Sequence, residues 1–269
     1  MTSGRKRARM GVMAMNKYLV TAITAMRGQT NGGIIYMFPT ILVRLIYLLP
    51  LMFLWRVIVD GGVDAGMTLA QLLSYTYVST LLSEMLLVRT PALGWCYTGE
   101  LITLYTKPFS TTGQIISHTV GGWLPLLLVF SLPMAILAPL FGINIIPATM
   151  WFFPSLLLCI SLGFAFELIF ICVTVRMKGQ FWLVYSIRMA IAALLSGTMI
   201  PFQILPFGLT AVFELQPFGS LGGAPLSLFV GTASPLRIII AQIAWNLVLW
   251  PVAVLWFKKS KERQVGYGG

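Results

Sequence analysis

The 269 residues are 58% hydrophobic and 9% charged, with a mean hydropathy of +0.89, against roughly 25% charged in soluble domains. A soluble domain is excluded, and the length holds about six membrane spans of ~20 residues joined by short loops. The net charge of +11 does not mark a nucleic-acid binder, because Lys and Arg gather at the ends of apolar runs, where orientation signals sit.

In chain order, Arg5, Lys6, Arg7 and Arg9 make a basic start. No apolar core with a small-residue cleavage site follows, as a signal peptide would require. Met15, Tyr18, Leu19, Ala22, Ile23 and Met26 then recur on one helical face. Residues 11–28 are therefore expected to form an amphipathic helix lying in the headgroup layer. Gly28 to Gly33 breaks it. Spans are expected at 34–59, 67–88, 118–140, 147–175, 181–200 and 234–257. The loop 60–66, DGGVDAG, is acidic and rich in glycine. The longest polar break between spans is 89–110, RTPALGWCYTGELITLYTKPFS. Residues 201–233 are apolar but full of Pro and Gly, which suits a re-entrant element better than a regular span. The fold class expected is an all-α polytopic membrane protein of one domain.

Charge divides by side. Lys17, Arg27, Arg89, Lys107, Arg176, Lys178, Lys258, Lys259, Lys261 and Arg263 join the basic start on one side. The other side has Asp60, Asp64 and Glu214, with Arg56 and Arg237 at span ends, where long side chains snorkel. By the positive-inside rule both termini are cytoplasmic.

Three charges fall inside spans: Arg44, Glu167 and Arg188. A charge at the bilayer centre costs roughly 2.5–3.5 kcal/mol on insertion scales and needs a reason. Glu167 precedes Lys178, in the tight turn between two spans, by 11 residues, and Arg188 follows it by 10. Both then lie ~15 Å from that turn. A Glu167–Arg188 pair is expected, either fixing helix register or lining a substrate path. Glu84 and Arg89 are placed near the inner membrane edge, solvated or paired there.

Catalytic signals are weak. The chain has no GxxxxGK[ST], no HExxH and no GxSxG, and its one histidine, His118, rules out multi-histidine metal chemistry. Cys96, Cys159 and Cys172 lack CxxC spacing and read as inert thiols.

Gly99-x-Leu101 followed by Lys107-Pro108 resembles the cytoplasmic loop of type-2 ABC-exporter permeases, in the subfamily of small six-span subunits. Gly197, Pro201 and Pro206, then Pro217-Phe218, Pro225 and Gly231, are similar to that subfamily's outer region. Trp245 and the closing Gly268-Gly269 also fit, while Tyr105 stands where the family usually has Leu. The resemblance covers the second half of the chain and the loop before it. It implies a permease subunit that pairs with a second, identical or different one, in the cell membrane of a prokaryote. It implies a separate ABC ATPase carrying the ATP and Mg, no cofactor in this chain, membrane lipid around it and no nucleic-acid partner. Loop 89–110 would hold the coupling helix. Its residues Gly99, Glu100, Leu101, Leu104, Lys107 and Pro108 would meet the ATPase, with Glu100 and Lys107 two turns apart on one helix that Pro108 ends. Residues 201–233 would form the outer gate through Gly197, Pro201, Pro206, Pro217, Phe218 and Pro225. Two other classes stay open: a polytopic enzyme acting on lipid, and an ion-coupled secondary transporter.

Overall fold

The computed structural model describes residues 3–62, 66–177, 180–206 and 208–261, without the side chains of 3–16, 34 and 36. The side chains of Arg5, Lys6, Arg7, Arg9 and Met15 lie outside that set, as do Asp64, Lys178, Phe207, Arg263, Gly268 and Gly269. Among the described residues all regular structure is helical. The α-helices are α1 (Ser3–Thr30), α2 (Phe38–Asp60), α3 (Leu69–Leu81), α4 (Ser83–Leu86), α5 (Ala92–Thr98), α6 (Glu100–Tyr105), α7 (Thr111–Leu126) and α8 (Leu132–Leu137). They continue with α9 (Phe152–Arg176), α10 (Phe181–Leu195), α11 (Leu209–Leu215), α12 (Gly223–Val230) and α13 (Pro235–Lys261).

Four helical runs are long and apolar enough to cross a membrane: Phe38–Asp60, Thr111–Phe141, Phe152–Arg176 and Pro235–Lys261. They make this a membrane protein. The apolar helix α10 is shorter. The expected second span is not one helix: it stops at Leu81, restarts as α4 and ends at Leu86. The run from Thr111 passes through a π-helical turn at Leu127–Ser131, between Pro125 and Pro133. Each proline removes a backbone donor, and the wider turn takes up the mismatch.

Packing follows from small residues at the contacts. Helices α9 and α13 pack lengthwise. Helix α1 packs along the first half of α7, where a Cβ on Gly121 would lie 2.1 Å from the Ala22 carbonyl oxygen. This alters the expected interfacial helix. Tyr18 and Ala22 are covered, Leu19 and Ile23 of the same predicted face are bare, and the helix begins earlier, at Ser3. The Gly121-Gly122 pair, inside the expected span 118–140, is part of the bed for α1.

The bundle has two ends. At one, Lys261 Nζ donates to Thr111 Oγ1 at 3.1 Å and the Tyr18 and Phe109 rings meet edge to face. Arg176, Lys258 and Lys259 lie here, so this is the basic end. At the far end, the Ala148 N–H donates to the Phe229 carbonyl at 2.8 Å, and Glu214 lies 3.9 Å from Arg237.

Candidate functional site

Five charged side chains meet where the chain leaves α4. They form two groups, one on each side of Leu87–Thr90. In the first, Glu84 Oε1 takes Nη2 of Arg44 at 2.5 Å and Nη2 of Arg89 at 2.7 Å. Arg44 is buried; its Nη1 donates to the Thr80 carbonyl at 3.0 Å and to Ser83 Oγ at 2.6 Å, and its guanidinium stands over the Phe130 ring. Thus one arginine on α2 ties both sides of the α3–α4 break.

In the second group, Arg188 Nε lies 2.5 Å from Glu167 Oε1. That oxygen accepts no aligned hydrogen bond, so the contact is an ion pair set off the donor axis. The other Glu167 oxygen accepts from the Thr90 N–H at 2.7 Å and from Thr90 Oγ1 at 2.8 Å. Arg188 Nη2 donates to the Val88 carbonyl. Both residues are buried. A buried ion pair is weak support by itself, because desolvation cancels most of its attraction. Here both members also satisfy main-chain groups that lost their helical partners when α4 ended. Glu167 lies ~14 Å before the end of α9 and Arg188 ~10 Å after the start of α10, at 1.5 Å per residue. Gly163 permits the approach: a Cβ there would come within 2.5 Å of Val88 Cγ2.

The expected depth pairing of Glu167 with Arg188 is therefore present, and it grips a third segment. Of the two states expected for Glu84 and Arg89, solvated or paired, the structure shows the pair, and it joins a network that includes Arg44.

From this root the chain descends through α5 and α6 to the basic end. Ala92, Leu93 and Leu101 are buried in one cluster with Leu168, Ile171, Val184 and Phe257. The segment thus helps to hold the long helices together. Gly99 makes the bend between α5 and α6 at φ 80°, a left-handed conformation that costs glycine nothing. It turns α6 so that Leu101 faces inward, fully buried, while Leu104 is half-buried. Tyr97, Glu100, Thr103, Lys107 and Pro108 stay exposed. The continuous helix from Glu100 to Lys107 is not found: α6 ends at Tyr105, before Lys107 and Pro108. Gln114 Nε2 sets the following turn by donating to the Leu104 carbonyl at 3.0 Å and the Phe109 carbonyl at 3.1 Å. The His118 ring packs edge to face on Trp95 at 4.8 Å. Burial pushes the Cys96 thiol up to about 12, which suits an inert group.

The far-end residues singled out from sequence also come together in part. Gly197 takes φ 72°, and its carbonyl accepts from Tyr75 Oη at 2.5 Å. Pro201 and Pro225 are buried, Pro217 is half-buried and Pro206 is exposed. Phe218 stacks on Phe166 at 4.3 Å. Helix α12 is buried along its whole length. The turn before it reaches two to three helical turns along α13, because Gln242 Nε2 donates to the Ser220 carbonyl and Trp245 Nε1 to the Leu215 carbonyl. Leu209, Val212 and Leu215 remain bare.

Between α2 and the α3–α4 break lies a cavity of about 520 Å³, walled by Val43, Arg44, Tyr47, Ser79, Arg89 and Thr198 among others. Sequence reading missed it, and missed Glu84, Val88 and Thr90 as partners. The available signal was the pair Glu84 and Arg89, two opposite charges bracketing an apolar run. No family model, no curated protein and no solved structure matches the chain.

Proposed function

We propose that the chain is the membrane-spanning subunit of an ATP-driven exporter, a six-span permease that pairs with a second permease and takes its energy from a separate ATPase at the basic, cytoplasmic end. The observation that carries this reading is the form of the segment 84–110. It has a bare polar edge at the basic end, at Tyr97, Glu100, Thr103 and Lys107. It has a root inside the bundle, where Glu167, Arg188 and, through Glu84, Arg44 hold it. A displacement of the bare edge is transmitted to α2, α9 and α10 through packed side chains and ion pairs, which is the contiguous link that coupling needs. ATP and Mg belong to the ATPase, and this chain supplies the moving part. The excess of Lys and Arg at the basic end supports the orientation. The apolar segment 201–233, with the buried α12 at its centre, serves as the re-entrant outer gate; non-helical backbone at that depth is tolerated because protein covers it.

The test is co-purification of a P-loop ATPase with the tagged chain from native membranes. Glu100→Lys and Tyr97→Ala should reduce the ATPase recovered and abolish its stimulation, while expression and insertion stay normal. Wild-type recovery and stimulation in both variants would remove the bare edge as the docking surface. Purified chain that hydrolyses ATP without a partner would remove the reading altogether.

A further inference from the structure

The cavity beside Arg44 has a charge that its own walls do not balance. Two guanidinium groups, Arg44 and Arg89, share one oxygen of one carboxylate, Glu84. The Glu167–Arg188 pair behind them is neutral in sum. One positive charge is left over, shared between a buried and a partly exposed guanidinium. Arg44 is buried and spends three of its five donors on Thr80, Ser83 and Glu84. Arg89 is not buried. Its side chain is 36% exposed, and among the described residues its guanidinium bonds only through Nη2 to Glu84. It lines the cavity with donors to spare.

Thr40, Ser79, Thr80, Ser83 and Thr198 add hydroxyls to the lining, and an apolar strip runs beside them along α2. Val43, Tyr47 and Leu51 succeed one another along α2, covering ~12 Å at 1.5 Å per residue, and Leu87 and Met199 close the other side. Val43 and Tyr47 are 50% and 70% exposed on a helix long enough to span a membrane. The opening therefore faces the surroundings of that helix. Arg44 lies six residues into α2, ~9 Å from its start, so the charged end of the cavity is nearer that end of the helix than its middle. A volume of about 520 Å³ is in the range that holds a drug-sized molecule.

We infer that this cavity takes up an anionic amphiphile, a molecule with one anionic head and an apolar body, from the membrane. The head lies on Arg89, the body along Val43, Tyr47 and Leu51. That such a molecule is the exported cargo rests on the exporter reading; that it binds here does not. Binding also has a path to the segment 84–110. An anion on Arg89 competes with Glu84, and Arg89 is followed directly by Thr90, which Glu167 holds. The cavity thus reports its occupancy to the root of the proposed coupling element. A cationic or neutral amphiphile gains nothing from the unbalanced charge.

The test uses the full chain in phosphatidylcholine nanodiscs with no ATPase present. A pyrene-labelled alkyl sulfonate and the pyrene-labelled alcohol of the same length are titrated by fluorescence. The sulfonate is expected to bind saturably and at least about tenfold more tightly than the alcohol, the worth of one charge-assisted hydrogen bond. Arg89→Gln should remove that preference by weakening sulfonate binding about tenfold, and Arg89→Lys should keep part of it. Arg89 is chosen because Arg44 also holds the α3–α4 break. Equal affinity for sulfonate and alcohol, or sulfonate binding by Arg89→Gln equal to wild type, overturns the inference. Phosphatidylglycerol added to the nanodisc separates two sources of the same chemistry. Displacement of the sulfonate assigns the site to a bilayer lipid, and no displacement assigns it to a single-chain amphiphile. Because no ATPase takes part, sulfonate binding without ATPase co-purification would remove only the exporter reading, and the converse only this site.

Discussion

Two passages of this chain leave the helical pattern inside the bundle, and they are held by different means. Leu87–Pro91, on the way to the basic end, is held by charge: Glu167 and Arg188 on its main chain, Glu84 on Arg89. The passage from Ser196 to Gly223, at the far end, is held mainly by neutral groups and close approach, with one long ion pair at its edge, Glu214 to Arg237 at 3.9 Å. Tyr75 Oη donates to the Gly197 carbonyl and Ser79 Oγ to the Thr198 carbonyl. Gln216 Nε2 donates to the Leu195 carbonyl. Gly219, Gly222 and Gly223 bring backbone against Phe213, Thr198 and Phe202 where no Cβ fits. The neutral passage has one good arrangement, because its contacts are steric and every partner is fixed. The charged passage can be rearranged, because an ion pair can exchange one counter-ion for another. A transmission element belongs at the second kind of place and a seal at the first.

The comparison breaks most visibly at Glu167. Glu167→Ala leaves Arg188 buried without its counter-charge and the Thr90 N–H without an acceptor. A loss of ~3–5 kcal/mol is expected, read as a large drop in melting temperature in detergent. Glu167→Gln combined with Arg188→Gln should recover part of that loss, since neither charge then remains. Recovery should stay incomplete, because Arg188 also serves the Val88 carbonyl. A double variant no better than the sum of the single ones would mean that the two residues do not act as a pair.

The neutral passage should respond to volume instead. A Cβ on Gly219 would lie 1.8 Å from the Phe213 carbonyl oxygen, a backbone atom that cannot rotate away. Gly219→Ala is expected to cost ~1–3 kcal/mol by overpacking. The change should appear as increased labelling of a cysteine placed at Val212, with sulfonate binding at Arg89 unaltered. Labelling equal to wild type would mean that the far-end turn is looser than its contacts imply.

Tyr75→Phe sharpens the contrast. It removes a single neutral bond to the Gly197 carbonyl and should cost ~1–2 kcal/mol, equally at low and high salt. Glu84→Gln, by contrast, should cost less as salt rises, because the Glu84–Arg89 pair is partly exposed and its attraction is screened. Thermal melts of both variants at two ionic strengths check this, and parallel salt dependence would erase the distinction between the passages.

Sequence reading reached the helical class, the four long apolar helices and the Glu167–Arg188 pair, because each follows from local pattern or from counting residues to a turn. Depth counting works where two antiparallel helices share a short polar link. It did not reach Arg44 as the further partner of Glu84 and Arg89, whose neighbour in the chain is a helix break rather than a turn of known position. It failed for Leu101. The apolar stripe of α6 is six residues long, too short to fix a phase, and the direction it faces is set by the left-handed turn at Gly99. The bed of α1 on Gly113 and Gly121 was hidden because a glycine in a span signals close approach without naming the partner.

The smallest effect is expected at Lys107. It is exposed, follows the end of α6, and makes no ion pair among the described residues. The turn that carries it is shaped from elsewhere: Gln114 bridges the carbonyls of Leu104 and Phe109, on either side of Lys107. The side chain of Lys107 therefore has no part in holding its own backbone. Lys107→Glu should shift stability by less than ~0.5 kcal/mol, as for most surface changes away from special features. Gln114→Leu should destabilise the same turn, because two carbonyls lose their donor. If Lys107 is part of the docking edge, its reversal lowers ATPase recovery while the melting temperature stays at the wild-type value. Gln114→Leu lowers both. A melting temperature that falls with Lys107→Glu would place Lys107 in the root of the segment and not on its bare edge.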